Sequence, residues 1–278
     1  MLKPYLTLHQ SDTPMAPFIY EDLKRLIFKL LKLVVKPSVI ETLTNQSSIV
    51  SFDCTRGQNF MQPSNFNLGC ATERSISRLK KLGVAEDIEI YNFSMECKEF
   101  VCGIVKKIVE CSPVEKPVAK YLSLFDPTNL AEKSKGYLEK LMKRLLHEYL
   151  ASRKIITAKI ADEALLEFRD FMNKVQKQKI LKMCKDCVRL DERLDDFYFK
   201  KLNVDVFPTL SKICQLVFCI SHGQASVERG FSINKNIAQH NMEEDTFVSR
   251  RLIKDHLLTK IVFYQQSLKL RLSFHWLC

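Results

Sequence analysis

Ser221-His222-Gly223-Gln224-Ala225-Ser226-Val227-Glu228-Arg229-Gly230-Phe231-Ser232 is the stretch on which the reading of this chain turns. It follows an apolar run, Ile213 to Ile220, and opens a segment with helical character. His222-Gly223 predicts a turn, because glycine takes the positive φ of a sharp reversal at no steric cost. Ser221 is placed to cap the helix that follows, its side chain accepting from a first-turn N–H that has no backbone partner. Val227 and Phe231 then fall four apart on one face, the spacing of core positions. Glu228 sits one position round, where the positive end of the helix dipole favours a carboxylate. On these grounds alone Glu228 reads as a solvated first-turn acid.

The run Ala225 to Ser232 resembles the C-terminal block of hAT-superfamily transposases, in which a small residue and Ser precede a Glu-Arg pair and, one residue later, Phe-Ser. Phe207-Pro208-Thr209-Leu210-Ser211-Lys212-Ile213 is similar to the segment that enters that block. Gln10 to Phe18, Asp126-Pro127 and the surroundings of Asp53 and Asn59 are similar to stretches of the large insertion domain of such enzymes. In that family two Asp and one Glu hold divalent metal on an RNase H-like core, because paired metals clamp the attacking and leaving oxygens of a phosphodiester. The resemblance puts the family's Glu on Glu228. It places the two Asp upstream of the insertion domain, so the chain looks like the C-terminal portion of a larger transposase whose catalytic set is incomplete.

What the resemblance implies is a mainly α protein. Residues 1–190 would form a helical insertion-type domain and residues 191–278 the C-terminal end of an RNase H-like, hAT dimerisation-type module, with the core strands largely missing. The function implied is that of a transposase-derived protein without intact catalysis, acting through dimerisation; non-specific DNA contact is expected separately, from the net charge of +11. No cofactor is expected, Mg²⁺ being needed only if the catalytic site is intact. The other readings are an active transposase or strand-transferase fragment, and an unrelated helical adaptor. The resemblance also implies a nuclear location; without it the expectation is cytoplasmic.

Composition bounds these readings. Hydrophobic residues make up 46% of the 278, with only 7 Gly and 9 Pro, which argues for an ordered, helix-rich chain. A formal charge of +11 is compatible with phosphate binding through counterion release, although many helical proteins that never meet DNA share it. The first twenty residues lack the basic start and apolar run of a secretory signal, and no uninterrupted apolar stretch is of membrane-spanning length. Neither a membrane nor a small-molecule substrate is therefore expected as a partner. Ten Cys without a signal read as reduced, mostly buried thiols. Cys184-Lys185-Asp186-Cys187 has zinc-like spacing but lacks a second pair at finger distance, and Cys214 and Cys219 read as core. No intact metal site is expected.

Upstream, residues 1–20 read as an irregular lead broken by Pro4, Pro14 and Pro17. From Glu21 the helical period is plain: Leu23, Leu26, Ile27, Leu30, Leu31, Val34 and Val35, closed by Pro37. The opposite face carries Lys24, Arg25, Lys29 and Lys32, which with Arg229 are the candidate nucleic-acid contacts, though a solvated face is the default reading of any amphipathic helix. Ser48 to Phe52 is the best strand candidate. The strand-end Asp53 is set aside as a catalytic acid because no second carboxylate partners it. A short helix is predicted from Thr72 to Gly83 and a long one from Ala85 to Cys111, with Phe100, Ile104 and Ile108 in register. Two further helices carry Leu138, Leu141, Leu145 and Tyr149, then Leu165, Phe168, Met172 and Val175.

A basic stretch, Lys174 to Lys185, precedes the C-terminal module. In that module Val227, Phe231, Ile253, Leu257, Phe274 and Trp276 are the expected interface of a homo-oligomer. The tail from Leu268 alternates well enough to suggest an edge strand or a partner surface.

Overall fold

A computed structural model describes residues 2–10, 13–43, 46–175, 182, 193–220, 233–238 and 242–257. Among them the protein is mainly α and has no strand; the only pairing outside helices is an antiparallel bridge between Val35 and Phe60. The chain divides into two compact units, residues 1–222 and 223–278.

The first unit is built around α2, Ala16–Leu31. The seven apolar positions from Leu23 to Val35 are all buried, and ten residues of the helix itself lie in the core. The helix starts earlier than its period suggested. Pro17 falls in the first turn, where a missing N–H costs nothing, so it helps open the helix instead of breaking it. The expected irregular lead is likewise helical in part: α1 spans Leu2–His9. That helix buries no residue fully; Tyr5 and Leu8 pack against the hydrophobic clusters, His9 Nε2 stands 3.1 Å from Asp22 Oδ2 of α2, and within α1 the Tyr5 ring lies 4.5 Å from the imidazole.

α2 feeds two hydrophobic clusters. Its body packs with Ile49, Phe60 and Phe66 and with Val101, Cys102 and Val105 of a long helix further along the chain. Its entry, Met15 to Phe18, joins the second cluster, which the rest of the unit supplies. Short α3, Pro37–Thr42, and α4, Gln46–Val50, follow α2. The strand expected at Ser48 to Phe52 is thus a helical turn: Ser51 N–H donates to Ser47 O, and Ile49 alone among these residues is fully buried. One buried side chain in five gives no face for a ladder to cover.

α5, Cys70–Lys81, ends at Gly83, whose φ of +66° is the left-handed conformation a helix stop favours. α6, Asp87–Cys111, opens with a capping box between Glu86 and Glu89. Its core face is not the expected one. Phe100 is 71% exposed, while Ser94, Val101, Cys102 and Val105 are buried and Ile104 and Ile108 only flank the core. In a helix of 25 residues an apolar stripe can be shared between core and solvent, and the one α2 covers is a turn-fraction away from Phe100.

The second cluster is made by α7, Pro117–Leu122; α8, Pro127–Glu132; α9, Lys135–Lys143; a π-helix, Arg144–Ala151; and α10, Ala158–Val175. α11, Leu194–Lys201, and α12, Pro208–Phe218, complete it. The Asp126 side chain, 1% exposed, caps α8 by accepting from Thr128 N–H at 2.9 Å. Leu138, Leu141 and Leu145 are buried as their spacing required, and so are Leu165, Phe168 and Met172. The segment expected to begin the C-terminal module adds Leu194, Phe197, Tyr198, Leu210, Ile213 and Cys214 to this same core. Two polar ties hold it there. Tyr198 OH donates to Phe125 O at 2.9 Å, and the Glu167 carboxylate of α10 accepts the N–H groups of Thr209 and Leu210 at the start of α12, at 3.2 and 2.6 Å. Cys219, expected in the core, is exposed because α12 ends one residue before it.

In the second unit residues 233–237 and 244–257 are helical, and Arg251 pairs with Asp255 at 2.8 Å while also donating to Asn234.

Candidate nucleic-acid interface

The amphipathic pattern of α2 leaves its cations outside. Lys24 is half-buried, its ammonium 5.9 Å from the centre of the Phe28 ring, and Arg25, Lys29 and Lys32 are exposed. Arg25 is partly committed elsewhere, its Nη1 standing 3.5 Å from Asp22 Oδ1. Beyond the helix end, Lys36 donates to Gln58 O at 2.8 Å and pins the loop that follows α4.

Tertiary packing brings further cations to Lys24. α7 lies against α2, α9 and the π-helix. Lys120 of α7 is thereby placed among Arg144 at the start of the π-helix, Lys24 of α2 and Lys140 of α9. Burial first, then the charges of Arg144 and Lys24, hold the Lys120 ammonium below the usual lysine range; Lys140 adds to the effect and Glu21 opposes it. Four cations contributed by four elements repel one another, and an anion seated among them relieves that repulsion. Glu148 moderates the edge of the group, 3.8 Å from Arg144 and accepting from Tyr121 OH at 3.3 Å. Burial and that carboxylate raise the Tyr121 phenol.

The π-helix is part of the arrangement. Ser152 N–H bonds back five residues to His147 O, and the widened turn lets adjacent Leu145 and Leu146 both face the core. Such wide turns recur at functional sites. Here the widening follows directly after Arg144 and sets the register of Glu148 beside it. A group of this composition can hold phosphate oxygens by charge, without reading bases.

Of the residues singled out from sequence, Lys24 belongs to this cluster, and Arg25, Lys29 and Lys32 lie on the same helix. Lys120, Lys140 and Arg144 were missed. Their neighbours along the chain are unremarkable, and only the packing of α7 on α2 and α9 collects them. Asp53 is a turn residue: it is half-buried and its Oδ1 accepts from both Thr55 N–H and Thr55 Oγ1, at 2.8 and 2.6 Å. Those bonds to Thr55, with Arg56 assisting, hold its carboxyl below the usual carboxylate range. Ile253 and Leu257 are 61% and 54% exposed on the helix of the second unit. Val227, Glu228, Arg229, Phe231, Phe274, Trp276, Cys184 and Cys187 lie outside the described residues. Among those described, no three His, Cys, Asp or Glu side chains gather as a metal site would need, and no helix is long and apolar enough to cross a membrane.

No protein-family model matches the chain, and neither a curated protein nor a solved structure does.

Proposed function

We propose that this is a transposase-derived helical protein without a complete catalytic site, acting by sequence-independent contact with the phosphate backbone of nucleic acid and by self-association. The backbone contact rests on one observation above the others: α7, which carries Lys120, packs against α2, α9 and the π-helix, which carry Lys24, Lys140 and Arg144. A net charge of +11 supports it, and the resemblance of Ala225 to Ser232 supports the transposase origin. Affinity for duplex DNA of any sequence is on the order of 10⁻⁴ to 10⁻⁶ M and falls steeply with salt. Anisotropy titrations with two unrelated duplexes over a salt series test this. Replacing Lys120, Lys140 and Arg144 together by Ala flattens the log K against log salt slope by about one unit per lost phosphate contact. An unchanged slope, or one duplex bound far more tightly than the other, sinks the reading. Nicking of a duplex with Mg²⁺ or Mn²⁺ that Glu228→Gln abolishes would favour the strand-transferase reading instead.

Self-association is favoured by a different observation, the exposure of Ile253 and Leu257 four apart on one helix. Sedimentation across a concentration series is expected to show a dimer or larger species that Ile253→Ser with Leu257→Ser weakens. A monomer at tens of micromolar would remove this half of the proposal and leave the other standing.

A further inference from the structure

α11, α12 and the turn between them line an open hollow of about 250 Å³ in the first unit. Tyr198 and Leu202 on one side and Cys214 and Phe218 on the other are its apolar walls. The Tyr198 and Phe218 rings stand 5.2 Å apart, centre to centre, so part of the lining is a continuous aromatic surface.

Each part of this frame is fastened from behind. Tyr198 OH holds α11 to Phe125 O, and the Glu167 carboxylate holds the start of α12. The turn is closed by Phe207 N–H donating to Asn203 O at 2.9 Å and by Asp205 N–H donating to Asn203 Oδ1 at 3.0 Å. A hollow framed in this way is formed before a ligand arrives, the usual condition of a small-molecule site.

Two polar side chains of the lining have no described partner. Ser211 of α12 is 6% exposed, and its Oγ is buried without a hydrogen bond among the described residues. A buried hydroxyl with its bonds unmade carries a desolvation cost that a ligand atom can relieve. Asp195 and Asp196 bring two carboxylates to the hollow, and no basic side chain is among the described residues that line it. Arg193 occupies Asp195, with Nε and Nη2 at 3.1 and 2.8 Å. Asp196 is exposed, and no described cation stands within ion-pair distance of it. In a chain of net charge +11 the overall field favours anions, so a cation bound here is held by the site itself.

We propose that this hollow binds a small aromatic amine that carries a hydroxyl. The ring packs on Tyr198 and Phe218. The ammonium makes a charge-assisted bond to Asp196, and the ligand hydroxyl, able to donate or accept, meets Ser211 Oγ in either role.

The test is titration calorimetry of the full chain with tyramine as the probe. Phenethylamine, which lacks the hydroxyl, and hydroxyphenylpropionate, which has a carboxylate where tyramine has its ammonium, are titrated beside it. Tyramine is expected to bind at a single site, with the propionate weaker by about tenfold or more. Asp196→Asn, an exposed change that keeps the side chain's shape, is expected to weaken tyramine about tenfold. Ser211→Ala is expected to bring tyramine down to the affinity of phenethylamine while leaving phenethylamine unchanged, a pattern that a merely structural role for Ser211 would not give. The proposal is overturned if tyramine does not bind, if the propionate binds as tightly, or if Asp196→Asn leaves tyramine's affinity unchanged. Equal losses for both amines in Ser211→Ala would overturn the hydroxyl contact. The ligand series on the native chain and Asp196→Asn decide the matter if Ser211→Ala does not fold.

Discussion

α2 and α5 look alike as sequences. Each is a helix with an apolar stripe on one side and cations on the other, yet α2 buries ten residues and α5 none. The difference lies in what surrounds them. α2 is packed by α6, by α7 and by the turns between, so its stripe and its flanks are covered together. α5 meets the beginning of α6 across an open apolar hollow of about 380 Å³, lined by Ile76, Leu79, Val84, Ile90 and Phe93. What fastens it at its end is polar: Lys80 reaches Asp87 at 2.5 Å, and Gly83 makes the turn. Amphipathicity thus states that a helix offers a face, and only the rest of the chain decides whether the face is taken.

The largest expected effect follows from that contrast. Ile27 and Leu31 are wholly buried on α2, so replacing either by Ala removes buried methyl groups and leaves a cavity, costing about 2–5 kcal/mol. Urea denaturation monitored by circular dichroism measures it. A loss under about 1 kcal/mol would mean that α2 is no more central than α5.

A smaller effect separates α5 from α12 at their first turns. α5 begins at Gly69 with no side-chain cap, whereas α12 is capped by Glu167 reaching across from α10. That carboxylate satisfies two otherwise unpaired N–H groups and lies at the positive end of the helix. Glu167→Ala is expected to cost about 1–2 kcal/mol in the same denaturation experiment. No loss would mean that water replaces the carboxylate freely.

Alkaline titration probes how α1 is held on α2. Burial first, and the Asp22 charge second, push the Tyr5 phenol from 10.0 up to about 12. The unfolded chain then releases its proton at lower pH than the folded one. The contribution is intact below pH 10 and is lost as pH rises from 10 towards about 12. Tyr20 shifts in the same direction, so Tyr5→Phe is expected to make the alkaline decline shallower without abolishing it. Denaturation midpoints at pH 8, 10 and 11 provide the check, and parallel declines for the two proteins would count against a half-buried, perturbed Tyr5.

The sequence made the helical class and most of the core legible, because Leu23 to Val35 and Leu138 to Leu145 repeat with a period that only a helix satisfies. It failed where burial depends on a neighbour. Phe100 has the spacing of a core residue but faces solvent, and Ser94, with no apolar signal, is buried by donating its hydroxyl to Ile90 O at 2.8 Å. Ser48 to Phe52 has strand-like composition, yet a strand needs a second strand and none is described. The cation cluster was half legible: Lys24 stands in a visible basic face, whereas Lys120 is an isolated lysine until α7 docks.

The smallest expected effect is also the sharpest test of the contrast. Leu79 is 41% exposed, on the α5 side of the open hollow. Cutting it to Ala removes side-chain atoms that already touch water, leaves no enclosed cavity, and slightly improves helix propensity. Stability should therefore change by no more than about 0.5 kcal/mol in either direction. The same substitution reports on association, because a face left open in one chain is available to another. If Leu79→Ala costs about 2 kcal/mol, and the cost grows with protein concentration, the α5 stripe is covered in solution by a second copy. α5 would then be a core helix of the assembly as α2 is of the monomer. A small loss independent of concentration leaves the two helices as different as they look.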